Sequence, residues 1–235
     1  MTYLNKTLLI VLLWQSVCFG VTEDLTTYTE VDEGSDLTVT STKVDISTIQ
    51  MNRLSYVRRD MGSVCIGDFD IDFTCRITTD LSGTSWRCLA LSDTTSTSRT
   101  TMDSNNTGIA FDYNRYFAGP QWRLRDEENS QSDVTANFAA PQTRYMTVAR
   151  TGTALTAQIY TDSGRTTLED TLSLTSGTDT YQYLYAFMNH NDDTFFPTNA
   201  TSGFTENFEL NSLCAGGLGY NTKITSAIIT NAVIR

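Results

Sequence analysis

Between Arg144 and Thr175 the apolar residues return at every second position. Leu155, Ala157 and Ile159 alternate with Thr156, Gln158 and Tyr160, and Leu172 and Leu174 alternate with Thr171, Ser173 and Thr175. Successive side chains of a strand point to opposite faces, so a period of two marks strands and not a helical stripe. Thr151-Gly152-Thr153 and Asp162-Ser163-Gly164 interrupt the runs with residues that tolerate turn dihedrals. The segment predicts a β-meander with one apolar and one polar face. The apolar face requires a second sheet to cover it.

The same punctuation continues along the chain. Strands are expected at Thr26–Val31, Leu37–Ser47, Leu54–Arg58, Phe69–Thr78, Ser85–Ser92, Gly108–Tyr113, Gln121–Arg125, Tyr145–Arg150, Ala154–Tyr160, Thr171–Thr175, Tyr181–Asn189 and Phe204–Leu210. No amphipathic helix is expected after residue 20. Trp86 is in phase with Cys88 and Ala90, which places all three toward the core. Two polar inserts, Asp93–Thr107 and His190–Ser202, are long for connections in a compact domain, a length associated with function or mobility.

Residues 1–20 read as a secretory signal. Lys6 is followed by the apolar run Leu8–Trp14, and Cys18-Phe19-Gly20 supplies small residues at the cleavage positions. The run is shorter than the ~18 apolar residues a membrane span needs; an uncleaved anchor is the alternative. The expected organisation is residues 1–20 as signal, 21–212 as one β-domain, and 213–235 as a glycine-rich joint and apolar tail. In that tail Ile224, Ile228 and Ile234 share strand phase, so it could add an edge strand or mediate self-association.

The chain carries a formal net charge of −11. Such a surface repels phosphate backbones and argues against nucleic acid as a partner. Four cysteines remain beyond residue 20: Cys65, Cys75, Cys88 and Cys214. An even count in an oxidising compartment permits two disulfides in three connectivities, and spacing selects none of them. Cys75 shares its face with Phe69, Ile71, Phe73 and Ile77, so it is expected to point inward. Asn105-Asn106-Thr107 and Asn199-Ala200-Thr201 are glycosylation sequons.

The order of these elements resembles the concanavalin A-like lectin/glucanase superfamily, including its LamG-like members. The resemblance rests on LTTYTEVDEGSDLTVTSTKV (25–44), GDFDIDFTCRI (67–77), the meander, and YQYLYAFMNHND with SGFTENFEL near the end, and covers about residues 25–210. It implies an all-β fold, a two-sheet antiparallel jelly-roll sandwich. It also implies extracellular glycan binding, hydrolysis or adhesion, because the superfamily hosts all three.

Each chemistry can be tried on the residues. Glucanases of that superfamily use an E-x-D-x-x-E strand motif. Here Asp68, Asp70 and Asp72 lie on one face about 6.6 Å apart per step, but all are Asp, and Cys75 stands where the last acid would fall. These acids are therefore expected in solvent on the wet face of a strand. The single histidine, His190, lies in Asn189-His190-Asn191-Asp192-Asp193 and has no G-x-S-x-G partner motif elsewhere. No catalytic residue is expected. The same loop offers oxygens for calcium, with Asp192 and Asp193 as ligands, though without an EF-hand spacing.

Sugar binding needs an aromatic plate and planar polar groups. Arg123 and Arg125 alternate with Trp122 and Leu124 and share a face. Tyr113, Arg123, Arg125, Asn189, His190 and Asp192 are thus the expected ligand-binding set, with Trp122 in the core and the arginines paired to acids as the structural alternative. The functional expectation is a secreted, non-catalytic, lectin-like or adhesion module whose partner is a glycan or cell-surface polysaccharide. A structural protein of an extracellular assembly or virion is the second expectation, and a glycoside hydrolase the third.

Overall fold

A computed structural model of the chain describes residues 21–50, 52–62, 66–79, 81, 83–105, 107–115, 119–189 and 200–212. The signal-like segment 1–20, the tail 213–235, Cys65, Cys214, Tyr116, His190, Asp192 and Asp193 lie outside them. In chain order the strands are β1 (Val21–Thr22), β2 (Thr29–Asp32), β3 (Leu37–Val39), β4 (Lys43–Gln50) and β5 (Ser55–Asp60). There follow β6 (Phe69–Thr79), β7 (Thr84–Ser92), β8 (Ile109–Arg115), β9 (Gln121–Asp126) and β10 (Gln131–Val134). The meander is β11 (Gln142–Thr151), β12 (Ala154–Tyr160) and β13 (Leu168–Thr175), and β14 (Tyr183–Asn189) and β15 (Ala200–Ser212) complete the set.

These strands form two antiparallel sheets. One is eight-stranded in the order β13-β12-β11-β6-β15-β4-β3, with β1 on the free end of β15; the other is seven-stranded, β10-β9-β8-β7-β14-β5-β2. The all-β sandwich expected from the alternation is what forms. In the meander Leu155 lies opposite Leu174 and Ala157 opposite Leu172, and Leu155, Ala157 and Ile159 are fully buried. Aromatic rings pack both within each sheet and between the two. Phe73 of β6 stacks on Phe208 of β15 with centroids 5.2 Å apart and meets Phe111 of β8 edge-on at 5.9 Å, while Trp86 of β7 packs on Phe187 of β14 at 5.4 Å.

Four expectations need correction. Leu37–Ser47 is two strands, because Thr40–Thr42 turns the chain between β3 and β4. Strand β10 was not foreseen; its Gln-Ser-Asp-Val carries no apolar alternation, and it is held as an edge by pairing with β9. The insert Asp93–Thr107 contains a helix, α1 (Arg99–Asn105), preceded by Ser98, whose hydroxyl accepts from Thr101 N–H at 3.2 Å in the manner of an N-cap. The phase of Trp86, Cys88 and Ala90 is broken by a bulge between Arg87 and Leu89. Trp86, Cys88, Leu89 and Leu91 face the core, and Ala90 faces the other side, among Tyr56, Met102, Ala110, Tyr185 and Met188.

A second bulge lies in β15 at Ser202/Gly203. A Cβ on Gly203 would stand 1.9 Å from the Arg76 carbonyl oxygen on the paired strand. Gly203→Ala should therefore lower stability by about 1–3 kcal/mol, the range for forced overpacking. A urea midpoint equal to wild type would show that the strands can part there without cost.

Candidate functional site

The outer face of the seven-stranded sheet is where the sequence placed a ligand. The alternation of β9 holds: Trp122 and Leu124 are in the core, and Arg123 and Arg125 point outward. Arg87, between the inward Trp86 and Cys88, points outward as well, fully buried, beneath the β7–β8 connection that carries α1. Seven residues is too short for a helix to stand alone. Met102 seats α1 in the apolar patch of that face, and Arg99 reaches back to donate to the Ser85 hydroxyl. Tyr185 holds the start of the connection, accepting from Ser96 N–H at 2.8 Å and donating to its carbonyl at 2.9 Å. Arg58 lies over the Tyr56, Tyr183 and Tyr185 rings at 5.2–5.9 Å.

The rest of this face is an ion-pair network. Arg87 meets Glu127 at 2.5 Å and Asp112 at 3.5 Å, and also pairs with Asp103 of α1. Arg123 donates to Asp112 at 2.9 Å, and Arg125 to Asp103 at 3.0 Å and Glu127 at 2.7 Å. Burial works against ionising Asp112, yet Arg87, Arg123, Arg99 and Arg125 outweigh it and hold the carboxyl below its ordinary value. Asp103 is held low in the same way, against burial, by Arg87, Arg99 and Arg125. Glu127 goes the other way, to about 7: burial dominates, and the Asp103 carboxylate adds to it against the pull of Arg87 and Arg125.

This changes the expected ligand set. Arg123 and Arg125 share the outer face, but their guanidiniums are engaged by carboxylates. Tyr113 is on the opposite face, fully buried beside Trp86, Trp122 and Phe138, because it lies in phase with Phe111 on β8. Asn189 is buried too, its amide donating to the carbonyls of Gln50 at 2.7 Å and Arg53 at 2.9 Å, so it ties down the chain after β4. His190, Asp192 and Asp193 fall outside the described residues. Among the described residues no group of three or more His, Cys, Asp or Glu is placed to hold a metal ion.

The acids of β6 face away from the core as the alternation requires, but they are not free in solvent. Asn211 donates to Asp70 at 3.3 Å and to Asp72 at 3.1 Å; Thr147 donates to Asp72 at 2.5 Å, and Arg165 lies 3.4 Å from it. Asp68 accepts from Gly152 N–H at 2.8 Å and caps the β11–β12 turn. Burial first, then the Asp72 charge, raises the Asp70 carboxyl above its ordinary value despite Asn211.

A cleft of about 200 Å³ opens at the edge of the sandwich, where β9 and the segment after β10 approach the starts of β11 and β13. Its lining includes Trp122, Thr135, Phe138, Gln142, Glu169 and Asp170. Asp133 of β10 accepts from Ser173 N–H of β13 at 2.9 Å and joins the two sheet edges beside it. Phe138 stacks on Trp122 at 5.0 Å. The Trp122 indole N–H and the Gln142 amide oxygen are buried without a hydrogen-bond partner among the described residues. Leaving such groups unpaired costs about 1–3 kcal/mol each. Glu169 is steadied by Arg144, one guanidinium nitrogen at 2.7 Å. The strand pattern did not point here, because the cleft is made by a loop and by strand ends that meet only in the fold.

Two outcomes test the electrostatics. Asp112→Ala leaves Arg87 and Arg123 short of a buried counter-charge and should destabilise the fold by about 3–5 kcal/mol in urea unfolding; a loss under about 1 kcal/mol would mean the network rearranges freely. Glu128, after β9, accepts from Gly108 N–H at 3.2 Å, and burial together with its hydrogen bond to Asp179 raises its pKa from the ordinary 4.5 to about 7. Between those values the folded chain binds more proton than the unfolded one, so stability falls as pH rises through that window. Thermal unfolding across it should decline less steeply for Glu128→Gln than for wild type, and equal slopes would refute the assignment.

No protein-family model matches the chain, and no curated protein matches it in sequence. Solved structures do match it in shape. The VIP36 exoplasmic/lumenal domain in its Ca²⁺/Man3GlcNAc-bound form aligns with a TM-score of 0.54 at 11% identity, over 82% of this chain and 86% of that one. Its metal-free form gives 0.50 at 12%, over 81% and 86%. A functionally unknown protein from Saccharomyces cerevisiae gives 0.53 at 10%, over 82% and 100%. At such identities the likeness concerns the fold, and with the two sheets and their order it identifies the described chain as a concanavalin A-like jelly-roll sandwich.

Proposed function

We propose that this chain is a secreted, lectin-like carbohydrate-binding module that holds a neutral sugar residue in the edge cleft and does not cleave it. The observation that carries this is the unpaired Trp122 indole N–H and Gln142 amide oxygen in one cleft with two carboxylates. A sugar hydroxyl donates and accepts at once, so a lining that offers an N–H donor, an amide acceptor and carboxylates matches its chemistry. The half-buried Phe138 ring offers an apolar edge for the C–H groups of a pyranose. Glu169 and Asp170 disfavour acidic sugars by like charge. At about 200 Å³ the cleft is smaller than the ~300–1,000 Å³ of drug-sized pockets, so it suits a single ring at the end of a glycan.

The fold is consistent with this, since the VIP36 domain it resembles was crystallised with calcium and Man3GlcNAc, although fold analogy alone does not carry a site. Secretion is supported by the apolar run and cleavage-like end of residues 1–20. The hydrolase reading has the Asp70–Asp72 pair as its material. One amide, Asn211, bridges both carboxylates, which favours a structural role for them on that face.

A glycan array run with calcium and with chelator tests the proposal. Binding to neutral glycans is expected, and its loss in chelator would add a metal held outside the described residues. Gln142→Ala and Asp170→Asn should each weaken binding about 5–30-fold, equivalent to about 1–2 kcal/mol. The Asp70→Asn/Asp72→Asn double variant should bind as wild type. An array without any binding favours the structural role, unaltered affinity in both cleft variants moves the site elsewhere, and reducing-sugar release abolished in the double variant makes the chain a hydrolase.

A further inference from the structure

We propose that Cys75 and Cys88 form a disulfide that joins the two sheets through the middle of the core. Cys75 is on β6 of the eight-stranded sheet, and Cys88 is on β7 of the seven-stranded one. Their sulfurs are 3.0 Å apart, and both residues are fully buried. That is inside the ~3.5–4.0 Å at which even carbon atoms meet without bonding, so the two side chains are aimed at one another. Cys88 points inward in phase with Trp86 on β7, and the bulge between Arg87 and Leu89 lets Leu89 face inward beside it. Both sulfurs sit in a wall of apolar side chains, and among the described residues no metal-ligating cluster surrounds them. Cys75 and Cys88 are the two cysteines among the described residues, and they lie in contact.

The reaction is a thiol–disulfide exchange with a small-molecule disulfide such as oxidised glutathione, as an oxidising secretory compartment supplies. One cysteine thiolate attacks a glutathione sulfur, forming a mixed disulfide and expelling one glutathione thiolate. The second cysteine, deprotonated, then attacks the protein sulfur of that mixed disulfide and expels the other glutathione. Two protein thiols are oxidised, one glutathione disulfide is reduced to two thiols, and the two protons lost by the cysteines end on the glutathiones. Burial, and the neighbouring Cys75 thiol, push the Cys88 thiol well above its ordinary range, which disfavours the thiolate once the core has formed. The exchange therefore belongs to the folding chain, before the sheets close; afterwards the bond is shielded from reductant. The inference is independent of the glycan reading and needs only the oxidising route.

The test is a disulfide map of the full chain, refolded in a mixture of reduced and oxidised glutathione and then alkylated in denaturant. Trypsin leaves Cys65 and Cys75 in one peptide, since no Lys or Arg separates them, so cleavage before Asp is used, which isolates Cys75 in peptide 72–79 and Cys88 in peptide 80–92. Peptide 72–79 joined to 80–92 is expected, resisting reductant in the native state and yielding to it in denaturant. The reduced, refolded chain should unfold roughly 5–15 °C lower than the oxidised one, as closing a short loop predicts. Alkylated Cys75 and Cys88 after oxidative refolding would overturn the proposal. So would a linkage of either one to Cys65 or Cys214. Because the map is read on the wild-type chain, a Cys75→Ser or Cys88→Ser variant that fails to fold leaves the result intact.

Discussion

Arg87 carries a full positive charge to a place water does not reach, and the outer layer of the seven-stranded sheet is organised around that fact. A buried guanidinium is tolerable only with counter-charges in good geometry. Asp112 comes from the neighbouring strand β8, Glu127 from the end of β9, and Asp103 from α1. Meeting that demand fixes the register of the β7–β8–β9 ribbon and brings the β7–β8 connection down onto the sheet. Arg123 and Arg125 then stand among the same acids. What looks from the sequence like a row of cationic ligand groups is, in the fold, the fastening of a cover.

Bulges decide which residues meet. Alternation from Trp86 turns Arg87 outward and Cys88 inward, and the extra residue in β7 then lets Leu89 face inward as well and sends Ala90 to the outer face. The shift between Tyr185 and Phe187 in β14 lets Tyr185 hold the β7–β8 connection while Ala186 and Phe187 both fill the core. The hydroxyl of the buried Thr205 crosses from the other sheet to donate to the Ala186 carbonyl at 2.8 Å, satisfying a group the bulge would leave exposed to the apolar interior. Bulges that re-aim side chains beside functional surfaces are a recurrent device of β-proteins.

The cleft has a different origin. Two sheets packed face to face leave their edges to be closed by whatever joins them. Here β10 pairs with β9 and reaches across to β13 through Asp133, and the segment to β11 carries Thr135 and Phe138 over the gap. Trp122, as a core residue, closes the floor with its aromatic stack, and the polar groups of β11 and β13 stand at the rim. A polar, concave place with an aromatic base follows from closing an edge that is half core and half surface.

Alternation in the sequence determined the sandwich: the meander, the inward set of β6, and the facing of Trp122 against Arg123 are all written in single strands, because a strand reveals its two faces locally. It also marked Asp93–Thr107 as an unusual connection, but not the helix within it, which is too short to show a periodic apolar face. Its limits were the places where period two is broken or irrelevant. Ala90 and Tyr113 were assigned to the wrong face or the wrong role because a bulge shifts phase and because aromatics serve cores as well as ligands. The partners of Arg123 and Arg125, the contact of Cys75 with Cys88, and the assembly of Trp122, Gln142 and Asp170 join residues from separate strands or separate sheets. Such meetings are fixed by register and sheet packing, which are properties of the whole fold, and the tertiary structure alone decided them.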